Sequence, residues 1–316
     1  YFGKLPSRGD FVKSSQGAAV IQQLDTWVAR SLELLLAEPH GRERYDVAAP
    51  VNFLFGSTRG RHFIAGRLVA SHDLSRRRYP LILGAMAQSD EPLQLLAKAP
   101  LVFAETWARF ASAQQRAMAP DATSELLQEI ETLQSQLIAS LSAQQALVDF
   151  TEQHTVDNIE SLFRTAGHRF DLRRSLLALG VLLRPLLTQL KPGISKSLVL
   201  PLPVEKPLAA LVASMWLDLT MPFFARAELE VAILCTECDP RPVLSVGFSG
   251  AQPRALASAW QPDVRSEAVI DLRDAEWIDE VLGQDVSLTK LAGLLQHPAT
   301  SMARATRTFR ETFIGA

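Results

Sequence analysis

The chain has 316 residues, 32 of them basic and 34 acidic, for a formal net charge of -2. That balance offers no general attraction to nucleic-acid phosphates or to an anionic bilayer, and no basic patch with interleaved aromatics supplies a local one. An apolar fraction of 47% supports a core sized for one large domain or two packed halves; two cysteines, Cys235 and Cys238, are too few for a disulfide framework and fit a reducing cytoplasm.

Tyr1 is not an initiator Met, and no basic flank or apolar signal core follows it. A natural start a little upstream and no secretion signal are therefore expected. After the punctuation of Gly3, Pro6 and Gly9, the segment from about Ala18 to Glu38 places Val20, Ile21, Leu24, Trp27, Val28, Ser31, Leu32 and Leu35 at helical spacing. Pro39 and Gly41 end that amphipathic helix. Three apolar runs follow, Val51 to Phe55, His62 to Val69 and Tyr79 to Ala87. Gly56 and Gly60 in the first separator predict a hairpin, extended by the third strand into an antiparallel sheet.

From about Pro92 to Leu190 the pattern is helical. Leu126, Ile130, Leu133, Leu137 and Leu141 make a stripe of barely two heptads, which predicts a helix packed on the sheet rather than a coiled coil. The longest apolar stretch, Leu176 to Leu190, is broken by Arg184 and Pro185 well short of the roughly 20 residues that cross a bilayer. No direct membrane insertion is expected. Pro192 and Gly193 mark a boundary. Beyond it come a strand (Leu198 to Leu202), a helix (Pro207 to Leu219), strands at Glu228 to Cys235, Pro242 to Phe248 and Ala268 to Leu272, and helices from about Glu276 to Phe313. The pattern predicts an α+β fold with antiparallel strands in one or two sheets, layered α/β/α-like with helices, and two intimately packed lobes, residues 1–190 and 191–316.

Chemical motifs are sparse. Cys235-Thr236-Glu237-Cys238 closes an apolar strand rather than opening a helix, so it lacks the macrodipole that activates redox thiols. As a zinc half-site it has no second Cys pair and no H-x-x-x-H partner; a buried Cys235 and a turn Cys238 are expected, with no metal and no cofactor. Gly247-Phe248-Ser249-Gly250-Ala251 follows a strand and is close to a G-x-S-x-G elbow, with Ala251 in place of the last glycine and Pro253 and Arg254 allowing only a delayed helix. Ser249 with His297 and Asp271 or Asp274 would give a hydrolase order of Ser, Asp, His, the main catalytic alternative. Gly56-Ser57-Thr58-Arg59-Gly60 lacks the Lys of a phosphate loop. Trp107, Trp216, Trp260 and Trp277 read as apolar anchors.

The opening Gly3-Lys4-Leu5-Pro6-Ser7-Arg8-Gly9-Asp10-Phe11-Val12 resembles the G-K-L-P-x-R-G-D-F-V signature of the TagF (ImpM) family, matching every specified position. Asp25 and Trp27 follow the family's W-D-x-W-L in part. Ala49-Pro50-Val51-Asn52-Phe53 is similar to A-P-V-W-R-F, one residue shorter. Asp73 to Leu81 is similar to D-R-V-G-R-Y-F-P-L, keeping Asp73, Arg77, Pro80 and Leu81, with Arg76 where the pattern has glycine. These blocks cover residues 1 to about 90 in order; beyond them no signature is quotable. Two readings of the polar positions stand side by side. Paired side chains near the chain start, such as Arg8 and Asp10, would pin it to the sheet; or Lys4, Arg8, Asp10, Asp73 and Arg77, with Trp27 as a further signature residue, would form a recognition surface.

The resemblance implies a non-catalytic bacterial accessory protein of the type VI secretion system, cytoplasmic, repressing assembly after translation. The implied partner is a forkhead-associated scaffold or another secretion component, with no nucleic acid. A structural adaptor for a Ser/Thr phosphatase, to which some relatives are fused, is a further alternative.

Overall fold

A computed structural model describes residues 1–133, 137, 139–190, 193–238, 241–261, 268–282 and 285–315. The strands are β1 (Phe2–Gly3), β2 (Val12–Lys13), β3 (Val51–Ser57), β4 (His62–Val69), β5 (Leu81–Gln88), β6 (Ser197–Pro201), β7 (Glu230–Cys238), β8 (Arg241–Gly247) and β9 (Val269–Asp271). They form one sheet in the order β2-β1-β5-β4-β3-β7-β8-β6-β9. Neighbours run antiparallel except β6 and β9, which are parallel.

The helices are α1 (Ala18–Ala37), α2 (Gly41–Asp46), α3 (Pro92–Val102), α4 (Ala104–Ala117), α5 (Ser124–Glu131), α6 (Ser140–Gln153), α7 (Val156–Thr165), α8 (Leu172–Leu183), α9 (Lys206–Thr220), α10 (Pro253–Trp260), α11 (Ile278–Leu282), α12 (Val286–Leu295) and α13 (Met302–Phe313). With 51% helix and 18% strand the fold is α+β.

Alternation along the strands divides the core between the two faces. Val51, Phe53, Leu68, Ile82 and Leu234 meet Leu24, Trp27, Val28, Leu32 and Leu35 of α1 and Leu256 and Trp260 of α10. Leu54, Phe63, Ala65, Leu81, Leu83, Val231 and Ile233 face the other way, onto the larger core that includes α3, α4, α8, α9 and α13. The three-layer arrangement thus follows from a period of two in the sheet and 3.6 in the helices.

The expected hairpin is present, with Val51 opposite Leu68 and Phe55 opposite Ile64. Its other neighbour comes from far along the chain: β3 pairs with β7 from Asn52↔Cys235 to Ser57↔Glu230, so the strands of both halves lie in one sheet. Thr58 locks the end of that seam. Its buried hydroxyl donates to the Ala227 carbonyl at 2.7 Å and accepts from the Leu229 N–H at 3.0 Å.

One expectation needs correction. The 126–141 stripe is not one helix: α5 stops at Glu131, where the Thr132 hydroxyl donates to the Glu129 carbonyl at 2.8 Å, and α6 starts afresh at Ser140. Leu127 and Ile130 are buried while Leu137 and Leu141 are exposed, so the seam spacing does not mark a continuous apolar face. Among the described residues, Lys206–Phe224 is the one helical segment long and apolar enough to cross a membrane by length and composition. It is a core element here, 61% buried, and includes the fully buried Trp216. The Pro192 boundary and the residues after Cys238, at 239–240, lie outside the described residues.

Candidate functional site

The polar residues of the N-terminal blocks converge at one end of the sheet. Residues 71–79 form a narrow excursion between β4 and β5, closed by the His72↔Arg78 bridge and by the Tyr79 N–H donating to the Ser71 carbonyl at 3.1 Å. At its centre Asp73 is fully buried. Its Oδ1 accepts from the backbone N–H groups of Ser75 (3.0 Å) and Arg77 (2.9 Å). Its Oδ2 takes Arg77 Nε at 2.6 Å and Lys4 Nζ at 3.0 Å.

Burial alone would push the Asp73 carboxyl up. The Arg77 backbone N–H, the Lys4 and Arg77 side chains, and the Lys4 charge outweigh it and hold the group well below the usual carboxylate range. Asp73 is therefore an internal anion around which a turn is wound. Arg77 Nη2 also donates to the Gly9 carbonyl at 2.8 Å, and the Leu74 N–H donates to the Arg8 carbonyl at 2.8 Å. Lys4 lies over the Phe11 ring at 5.0 Å, and Phe11 stacks on Phe2 at 5.4 Å and meets Tyr79 edge-on at 4.8 Å.

Of the six signature residues, Lys4, Asp73 and Arg77 thus form one network. Arg8 sits beside it, with Nη2 donating to Ser124 Oγ at 3.2 Å. Asp10 is exposed and accepts from the N–H of its neighbour Phe11 at 2.8 Å; the expected pairing of Arg8 with Asp10 is not formed. Trp27 is elsewhere: it is buried on the sheet-facing side of α1, edge-on to Phe53 and Phe55, and its indole N–H donates to the Gln252 carbonyl at 3.3 Å.

Around the buried anion lies a surface that sequence reasoning did not assemble. Leu74 is 70% and Phe11 42% exposed, and the Arg77 side chain is 61% exposed above its carboxylate contact. Arg76 adopts φ 61 at the position where the family pattern has glycine, and its Nη1 lies 2.8 Å from His72 Nε2. Arg78 is bidentate on Asp46, at 2.8 and 2.6 Å. The run Arg76-Arg77-Arg78 was the available signal for this basic rim; only its middle member stood out by pattern.

The catalytic alternative finds a different setting. The Ser249 hydroxyl donates to the Ile194 carbonyl at 2.5 Å, and α10 starts four residues later, at Pro253. Asp271 is bound by Arg273 Nε at 2.8 Å. Burial pushes the Cys235 thiol up to about 12, which opposes thiolate chemistry, and Cys238 is the last residue of β7 rather than part of a turn. Among the described residues no group of three or more His, Cys, Asp or Glu side chains could hold a metal ion.

Residues 1–158 match the family model described as the TagF N-terminal domain, type VI secretion system-associated. No curated protein matches the chain. Among solved structures, the chain is similar to the crystal structure of PA0076 from Pseudomonas aeruginosa PAO1. That match has 18% identity over 46% of this chain and 76% of that one, at a TM-score of 0.36.

Proposed function

The chain belongs to the TagF family of type VI secretion system-associated proteins, and from that premise we propose that it is a non-catalytic regulator. It acts in the cytoplasm after translation, binding a component of the secretion machine and holding back assembly. The partner placed first is a forkhead-associated scaffold protein. Repression of this kind needs no chemistry; it needs the regulator to bind the unassembled partner more tightly than the assembled one.

The observation that carries this reading is the Asp73-centred turn. It spends a buried ion network on holding a turn from which the apolar Leu74 is exposed, a segment that also carries Arg76 and Arg77 and is bonded through its backbone to Arg8. An exposed apolar side chain on an arginine-bearing turn suits an acidic, partly apolar protein surface, with Arg the cation favoured at interfaces. The opposed charges would speed encounter as well as fix orientation.

The test is a titration of the purified chain with a purified forkhead-associated scaffold. Leu74→Asp is expected to weaken binding at least tenfold, about 1.4 kcal/mol or more, and to release secretion in cells. Val286→Asp, at an equally solvent-facing site (87% exposed) on α12, serves as the control and should bind like the parent. Unchanged affinity in the Leu74 variant would rule this surface out.

A further inference from the structure

A cavity of about 650 Å³ opens between the end of β4, the second half of α4 and the first residue of α9. Its size falls within the roughly 300–1,000 Å³ of small-molecule sites. The walls combine apolar groups such as Val69 and Met118 with five polar side chains, Arg67, Ser112, Gln114, Gln115 and Lys206.

Arg67 occupies a position that alternation assigns to the core. Phe63 and Ala65, on the same face of β4, are buried in the large core cluster, and Val69 packs against it. The Arg67 guanidinium donates Nη1 to Asn52 Oδ1 at 2.7 Å, and its Nε has no partner. Among the described residues no carboxylate lies within ion-pair distance of Arg67 or Lys206, and burial alone draws the guanidinium down from its ordinary value. A half-buried cation without a counter-ion is costly unless a ligand supplies one.

Two features add to the positive field. Lys206 is exposed at the rim. It also opens α9, whose N-terminus has no side-chain cap, Glu205 at the cap position making no such bond; that end carries partial positive charge. Gln114 is a fixed part of the wall. Its Nε2 donates to the carbonyls of Arg67 (2.9 Å) and Leu81 (3.0 Å), which fixes the amide and leaves the buried Oε1 without a donor.

We propose that this cavity binds a small phosphate-bearing ligand, with Arg67 and Lys206 holding the anionic oxygens at the uncapped start of α9. The proposal does not depend on the docking surface around Leu74.

Calorimetric titration of the full chain with inorganic phosphate, at constant ionic strength and pH 7, tests it, with glycerol phosphate as companion ligand. Saturable binding of phosphate is expected. Arg67→Met should lose at least tenfold in affinity, as removal of a charge-assisted contact does, and Lys206→Ala severalfold. Because Lys206 is exposed, its variant keeps the test decisive if the Arg67 variant does not fold. Glycerol phosphate binding as well as the inorganic ion would identify esters as the ligand class, and weaker binding would identify the free ion. No saturable heat, or unchanged affinity in a folded Arg67 or Lys206 variant, would overturn the proposal.

Discussion

Asp73 shows how a single carboxylate can organise a surface it never touches. Its two oxygens take four donors from three residues, so Asp73→Asn should loosen both the turn and the segment that Lys4 ties to it. Limited trypsin digestion, read as the rate of cleavage after Lys13, is expected to accelerate severalfold; an unchanged rate would mean the pair holds nothing. Arg76 offers the opposite sign. A non-glycine residue at φ 61 is strained by about 1 kcal/mol or more, so Arg76→Gly is expected to raise the urea midpoint by about that much stability. The acidic and basic letters of the opening block already suggested an ion pair near the chain start. Their partners were not legible, because Lys4 meets Asp73 only after β1 has added itself to β5, whereas Arg8 and Asp10, close in sequence, go to different neighbours.

Elements with a strong period were legible nearly to the residue. The helix over Ala18–Ala37 and the hairpin strands follow from apolar spacing and from the Gly56 and Gly60 punctuation. The two-residue strands β1 and β2 carry no alternation to read, and the split between α5 and α6 depends on which leucines find cover. Close packing across the hairpin yields a prediction at this scale. A Cβ built on Gly66 would lie 2.2 Å from Phe53 Cζ and 2.6 Å from the Leu83 carbonyl oxygen. Gly66→Ala should therefore cost about 1–3 kcal/mol, the usual effect of overpacking, in a denaturant melt. His168 gives the pH dependence. It is buried between α7 and the sheet, with Nε2 at 3.2 Å from the Leu202 carbonyl and 3.0 Å from that of Pro242. Burial first, then the charges of Arg273 and Arg241, lower its affinity for a proton. A depressed folded value means stability that is present above about 6.5, the unfolded histidine value, and lost as pH falls through the folded one. Thermal melts from pH 7 down to 5 should show a declining midpoint, with a shallower decline in His168→Gln.

At the scale of the molecule, the α+β class was legible in the change of period along the chain, but the union of the strands into one sheet was not. It depends on β3 choosing β7, a pairing between segments about 180 positions apart in sequence that no local signal announces. The matched region, residues 1–158, ends before β7 begins. Expressed alone, that fragment is expected to present the Val51–Ser57 strand as an open, largely apolar edge, the kind that pairs with other chains. It should elute from a sizing column as aggregate, whereas the full chain should not; a monodisperse fragment would show that the seam is dispensable.

The same seam sets an order of events on the ribosome. At roughly 5–20 residues per second, the strand that begins at Val51 emerges on the order of ten to thirty seconds before the one that will shelter its flank. For that interval the nascent hairpin is half-clothed, and in a crowded cell such a waiting edge calls for a chaperone's cover until translation delivers its companion.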